Sequence, residues 1–254
     1  MAQTNDDAIA RWGAMPRDLI ESMALDGDFA KRHLINPTLL RMLGDVRGRR
    51  ILDAGAGNGY LCRILADRGA DVVGVEPGRS PYDFCCEQEE LNPQGVTYIR
   101  ADLSALPEVG AVELSAVELG TVELGSFDAV VCSMVLPAIP DWRPAMRACV
   151  EALTPGGIFV FTVNHPCFES LLGTWREHGA YRTEEYLAEY PIEGRSGTDF
   201  HRTTSTYLNE LIGLGAQICE IAEPGLDPAE ATGDGLDAYV HLPNFLIVAA
   251  RRNS

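Results

Sequence analysis

"ILDAGAGNGYL", Ile51 to Leu61, is an apolar run that ends in a glycine-rich turn and then continues as a second apolar stretch. A short apolar run closed by glycine reads as a buried strand, and glycines at alternate positions mark a turn whose backbone must approach something closely. The dinucleotide fingerprint G-x-G-x-x-G fits only in part. Gly55 and Gly57 match, but Tyr60 takes the place of the third glycine, and the spacing is instead G-x-G-x-G through Asn58 to Gly59. Asp53 stands two residues before the first glycine, at the tip of the strand. A carboxylate there repels a pyrophosphate and suits a positively charged group.

Outward from this turn the chain alternates between strand and helix. "RILDAG" reads as a strand, "GYLCRILADRG" as a helix and "DVVGVEP" as a second strand. "SPYDFCCEQEELN" reads as a helix capped by Ser80, with Pro81 at its first position. "VTYIRAD" and "FDAVVCSM" are the third and fourth strands. A helix in "WRPAMRACVEALTPGG", closed by glycine, leads to the fifth strand, "IFVFTVN". Repeated strand–helix–strand units with right-handed crossovers give a doubly wound α/β sheet. From His165 to about Arg202 the rhythm stops, and the segment reads as an irregular cap. A helix in "STYLNELIGLG" and strands in "AQICEIAEP" and "NFLIVAARR" follow. Before the turn, "RDLIESMALDGDFAKRHL" and "PTLLRMLGDV" read as two helices. The expectation is one domain over 1–254, with a helical lead-in at 1–48, a loop insertion at 110–125 and a substrate cap at 165–202. The insertion repeats Val-Glu-Leu at five-residue steps from Val112 to Leu124, a period that suits neither helix nor strand.

The formal net charge of −17 weighs against a nucleic-acid substrate, which is usually met by clustered Lys and Arg. No apolar run is long enough to span a membrane, and the N-terminus lacks the plan of a signal peptide. The seven cysteines are unpaired in spacing and read as small buried hydrophobes of a reducing compartment, so a cytoplasmic protein is expected. No metal site is expected.

Two further acids end strands. Glu76, followed by Pro77, closes the second strand about twenty residues after the first, where an acid can accept both hydroxyls of a ribose. Asp102 follows the third strand, with Leu103 beside it, and could accept from an adenine amino group. A ligand positive near the turn and carrying an adenosine fits all three acids. S-adenosylmethionine has an α-ammonium and a sulfonium at that end. Taken together, "ILDAGAGNGYLCRILADRGADVVGVEP", "IRADLSALP", "FDAVVCSMVLPAIPDW" and "CVEALTPGGIFVF" resemble a class I S-adenosylmethionine-dependent methyltransferase, from Arg50 to about Val163. The resemblance implies a seven-stranded Rossmann-like sheet of order 3-2-1-4-5-7-6 with its last strand antiparallel, and the cofactor across its carboxyl edge. It implies Asp53, Gly55, Gly57, Asn58 and Gly59 at the methionine end, Glu76 and Pro77 at the ribose, and Asp102 and Leu103 at the adenine. Cys132 and Ser133, with Met134, would run along the cofactor toward the acceptor. S-adenosylhomocysteine would be the product.

The donor in such a transfer is already activated, so the protein mainly aligns the acceptor and sometimes removes a proton. "CSMVLPAIPDW" lacks the Asn/Asp-Pro-Pro-Tyr/Phe signature of many base and glutamine methylating enzymes, and Asn164 with Glu169 alone makes a poor hard-metal site. His165, just past the fifth strand and fixed by Pro166, is the candidate general base, with orientation of the cap as the competing role. His201 and Arg202 could close over the same pocket, and Trp175, Tyr181, Tyr186, Tyr190 and Phe200 could line it or form the cap's own core. Trp12, His33 and Asn36 could fold over the cofactor. The expected activity is methyl transfer to an oxygen or nitrogen of a small-molecule acceptor, with specialised metabolism as one setting. A protein or RNA acceptor, or a protein that binds the cofactor without transferring its methyl, are the alternatives.

Overall fold

The apolar run before the glycine turn becomes a central strand, and the run after it a helix, in a computed structural model that describes residues 3–108, 112–113, 121–122, 126–183, 185–194 and 197–253. Strands β1 (Arg50–Ala54), β2 (Asp71–Val75), β3 (Thr97–Ile99), β4 (Phe127–Ser133), β5 (Leu153–Asn164), β6 (Ala216–Ala222) and β7 (Phe245–Arg252) form one sheet in the order 3-2-1-4-5-7-6. The pairs from β3 through to β5 are parallel, whereas β7 runs antiparallel to both β5 and β6. This is the expected topology.

Period-two alternation assigns each strand residue to one of two apolar layers. Ile51, Val131, Val160 and Ile247 pack in one layer with helices α3 (Asn36–Leu43) and α4 (Tyr60–Asp67). Leu52, Val130, Phe161 and Val248 pack in the other with α6 (Arg143–Glu151) and α8 (Thr204–Gly213). By the same alternation Asp53 points to the α4 side, where it meets Cys62.

Ahead of the sheet the sequence reading is corrected. α1 (Asn5–Gly13) forms in a stretch not expected to be helical, held by a capping box between Thr4 and Asp7. The expected helix over 17–34 is broken. α2 (Arg17–Ser22) stops before Ala24 and Gly27, whose φ angles are 60° and 91°, and a π turn at Lys31–Ile35 then leads into α3. α5 (Arg79–Leu91) starts at Arg79 rather than with Ser80 as its cap, because Gly13 at the end of α1 lies against Gly78 and Arg79 and draws the Ser80 hydroxyl to its carbonyl at 2.8 Å. β5 takes in the Thr-Pro-Gly-Gly assigned to helix closure, since α6 already ends at Glu151.

The cap is less irregular than its sequence suggests. It carries α7 (Leu171–His178) and a two-stranded hairpin of Pro191–Glu193 with Thr198–Phe200, and a short α9 (Ala238–His241) precedes β7. Arg202, only 2% exposed, ties the cap to the loop after β4 by donating to the carbonyls of Leu136, Ile139 and Pro140. Most of the insertion at 110–125 lies outside the described residues. Val112–Glu113 and Thr121–Val122 pair as a short antiparallel ladder, so the first and third Val-Glu-Leu copies meet.

Candidate active site

The glycine turn joins β1 to α4. Gly55 has φ +92°, and a side chain there would lie 2.4 Å from Val135 Cγ2, so the turn presses directly on the loop after β4. Gly57, at φ +58°, has nothing within 4 Å of where its Cβ would stand. The turn therefore presents bare backbone to open space at its crest. Gly59, in the left-handed region, starts α4, and Asn58 ties the turn to the lead-in by donating to the Ala24 carbonyl at 2.8 Å.

Two carboxylates are buried around this turn. Asp53 is 2% exposed and accepts the Cys62 thiol at 3.1 Å, and burial pushes its pKa up to about 6. Glu76, also 2% exposed, accepts the backbone N–H of Gly57 at 2.9 Å and that of Gly78 at 2.6 Å. It further takes a hydrogen bond from the Trp12 indole, and burial raises its pKa to about 8. Neither acid forms an ion pair among the described residues. Two buried carboxyl groups with no cation beside them are costly to ionise, and such a site favours a ligand that brings positive charge and hydrogen-bond donors.

Asp102 follows β3 and accepts the Ser104 N–H at 2.9 Å, opening a 3-10 turn at Leu103–Glu108 in which Leu103 is buried. Asn5 of α1 reaches the same region, making a reciprocal pair with the backbone of Asp141 at 2.9 and 3.1 Å. α1 thus runs from beside Ser104 to Glu76. Trp12 lies against Gly78, and its neighbour Arg11 donates to Thr198 of the cap hairpin at 2.7 Å.

After β4 the expectation needs one correction. Cys132 is fully buried and its thiol pairs with Cys149 of α6, on the face of the sheet away from Asp53. Only its backbone can border the turn. Ser133 faces the turn instead. Its hydroxyl bonds that of Thr162 at 3.1 Å and also that of Tyr60, and Tyr60 in turn donates to Asn36 at 3.3 Å. Tyr60, the residue that displaces the third glycine of the dinucleotide fingerprint, therefore joins the turn to the lead-in and to the ends of β4 and β5. Among the described residues three non-glycine residues have positive φ, namely Ala24, Met134 and Ser170. The first holds Asn58 and the others follow the ends of β4 and β5, so the backbone strain collects around one edge of the sheet.

His165 is 4% exposed, and both ring nitrogens have partners in the fold. Nδ1 accepts the Cys167 N–H at 3.1 Å, and Nε2 lies 2.6 Å from Glu223. In this arrangement no lone pair of His165 is free to take a proton. His33 stacks on Phe29 and lies 3.7 Å from Glu230. His201, which the sequence placed only loosely, is 1% exposed and packed flat on Tyr190. Its Nδ1 lies 2.6 Å from Glu169 and its Nε2 2.8 Å from the Tyr186 carbonyl. Beside this pair, at the end of β5, is a cavity of about 270 Å³ lined by residues that include Asn164, Glu169, Leu171, Ile192, Tyr239 and Asn244. Among the described residues none of the expected aromatics lines it, and its one aromatic wall is Tyr239, outside the expected set. Trp175, Tyr181, Tyr186, Tyr190 and Phe200 pack or hydrogen-bond elsewhere in the cap.

Comparison with known proteins matches this geometry. Residues 29–198 fit the methyltransferase domain family. A ubiquinone biosynthesis O-methyltransferase of Idiomarina loihiensis is 30% identical over 200 residues, covering 74% of this chain and 76% of the relative. One of Photorhabdus laumondii is 30% identical over 145 residues, so that the chain spans 55% of that relative's length. Among solved structures, an S-adenosylmethionine-dependent methyltransferase from Mesorhizobium loti is 31% identical, with a TM-score of 0.70 over 90% of this chain and 100% of the other. The curated relatives are named for ubiquinone biosynthesis rather than for the specialised metabolism that the sequence reading entertained. The protein belongs to the class I S-adenosylmethionine-dependent methyltransferases.

Proposed function

We propose that this enzyme, acting in the cytoplasm, transfers a methyl group to a hydroxyl oxygen of a small organic acceptor seated in the cap cavity. The observation that carries this reading is the placement of two different sites on one sheet edge. The bare glycine turn with its two unpaired acids lies at β1 and β2, and the mixed polar and apolar cavity lies at the end of β5. Relatives named as O-methyltransferases favour oxygen over nitrogen. The net charge of −17 disfavours a nucleic-acid acceptor.

S-adenosylmethionine supplies a methyl group on a positively charged sulfur. In this reading Gly55, Gly57, Asn58 and Gly59 border its amino-acid end, with Asp53 beneath as the anion that favours the ammonium. Glu76 and Pro77 border the ribose, and Asp102 and Leu103 the adenine. Ser133, with the backbone of Cys132, lies toward the acceptor. The lead-in at 1–48 and the cap at 165–202 close over this edge, excluding water and aligning the acceptor. His165 orients the start of the cap through Cys167 and Glu223.

Incubation with methyl-labelled S-adenosylmethionine and a panel of phenols and amines tests the proposal. The expected result is label in an ether linkage, with one S-adenosylhomocysteine formed per methyl transferred. Label recovered only on nitrogen or on protein, or none transferred, would overturn it.

A further inference from the structure

Glu169 and His201 are 32 residues apart in the cap yet share one short contact, His201 Nδ1 to Glu169 Oε2 at 2.6 Å. The other ring nitrogen, Nε2, faces the Tyr186 carbonyl, which only accepts, so Nε2 must carry a proton. Nδ1 and the carboxyl group then hold a single further proton between them, as imidazolium with carboxylate or as imidazole with carboxylic acid. His201 itself cannot reach an acceptor, because both nitrogens are engaged and the ring is buried between Tyr186 and Tyr190. Glu169 can. It lines the cavity, and its second oxygen, Oε1, makes no hydrogen bond among the described residues. Burial raises the Glu169 pKa, which makes its carboxylate a stronger base than an exposed one, and Asp199 and Arg202 are the other charged groups beside it.

The cavity also lies at the end of β5, the strand that pairs with β4. Asn164, the last residue of β5, lines it and donates to Asp199 at 3.1 Å, and two residues earlier Thr162 bonds Ser133 at the end of β4. Its volume suits one small ring, and its mixed walls, leucine, isoleucine and tyrosine beside Asn164, Ser170 and Asn244, suit one that carries a polar substituent. Resting on the oxygen-methylation reading above, we propose that Glu169 is the general base of this enzyme, taking the proton of a phenol-like hydroxyl in the cap cavity, with His201 as its positioning partner. The acceptor O–H proton passes to Glu169 Oε1. The electron pair left on the acceptor oxygen forms the new bond to the methyl carbon, and the carbon–sulfur bond breaks with its pair remaining on sulfur. The His201 ring N–H at Oε2 steadies the carboxylate before transfer and the acid after it.

Glu169→Gln keeps the size of the side chain and an acceptor for His201 but cannot take a proton. Two readouts test the proposal with phenol and 4-nitrophenol as probes, at a pH where only the latter is ionised. With cofactor-free protein, phenol titration is expected to shift the His201 ring N–H proton in NMR spectra of the wild type, and less in Glu169→Gln. With S-adenosylmethionine, Glu169→Gln is expected to lower kcat for phenol about 100-fold or more, the usual scale of base catalysis, while leaving the already ionised 4-nitrophenol near the wild-type rate. Glu169→Asp should recover part of the phenol rate, and unchanged affinity for S-adenosylhomocysteine would show that the variants are folded. An unmoved His201 signal, or equal loss on both phenols, would overturn the proposal. A wild type whose His201 signal responds to phenol but which transfers no methyl would instead refute the oxygen-methylation reading and leave the acceptor seat standing.

Discussion

Asp53→Asn is expected to weaken binding of S-adenosylmethionine by at least about 100-fold while leaving the melting temperature unchanged or higher, because removing one partner of a buried charge pair costs about 3–5 kcal/mol. The two effects have one cause. In the free protein Asp53 is a buried carboxylate with a thiol for company and no cation beside it, so its charge opposes folding. In the complex the same charge meets an ammonium group. Asparagine keeps the acceptor for Cys62, removes the unfavourable charge and leaves the ligand unpaired. pH should act in the same direction. Because the folded pKa of about 6 lies above the ordinary 3.8, the free native state binds more protons than the unfolded chain between those values. This group's penalty on stability is therefore fully present above about 6 and is relieved as pH falls toward 3.8. Cofactor affinity should follow the opposite course, falling as pH drops through about 6, since a protonated Asp53 must lose its proton to pair with the cation. In Asp53→Asn that part of the pH dependence should vanish. Calorimetric titration and thermal melts of both proteins across this range check each point.

Gly55→Ala is expected to lower the stability of the fold by about 3 kcal/mol, from an over-packed contact together with a left-handed backbone forced on an L-residue. The methyl group would stand 2.4 Å from one Val135 methyl and 2.8 Å from the other, at a φ of +92°. Val135 is β-branched and has no long side chain to swing aside. A loss of that size corresponds to a fall of roughly 6–12 °C in Tm for a chain of this length. Gly57→Ala separates packing from ligand binding. Nothing lies within 4 Å of its Cβ position, so only the cost of φ +58° applies, about 1–2 kcal/mol. The added methyl would still fill the space over the turn, and cofactor affinity should collapse in a protein that remains folded. Comparable stability losses at the two positions would contradict the assignment of Gly55 to packing and Gly57 to the ligand.

The features readable from the chain are those encoded locally. Apolar runs of strand length, a glycine turn and acids at strand ends are all contained within a few residues. They suffice for a doubly wound sheet with Asp53 and Glu76 at its carboxyl edge, whereas the strand order 3-2-1-4-5-7-6 comes from the family resemblance. Side-chain direction after β4 was harder. Cys132 and Ser133 are adjacent, and which of them faces the turn depends on the pairing of β4 with β1 and β5, a register that no single segment specifies. The lead-in failed for a related reason. "RDLIESMALDGDFAKRHL" has helical spacing, but Ala24 and Gly27 adopt positive φ so that Ala24 can meet Asn58, a contact between segments 34 residues apart. The Glu169–His201 pair carries no local signal at all, since it joins two residues of an aperiodic cap across 32 positions. His165 looked the better base because it directly follows a strand and a proline follows it. Its distant partner Glu223 is visible only once β6 lies on the outer edge of the sheet.

A crystal structure with S-adenosylhomocysteine bound tests the central claim most directly. The account expects the amino-acid end over Gly55–Gly59 with Asp53 beneath it, and the ribose hydroxyls on Glu76 in place of the Trp12 indole. A ligand lying elsewhere, ribose hydroxyls turned away from Glu76, or a crevice that takes a nicotinamide dinucleotide in preference would contradict it.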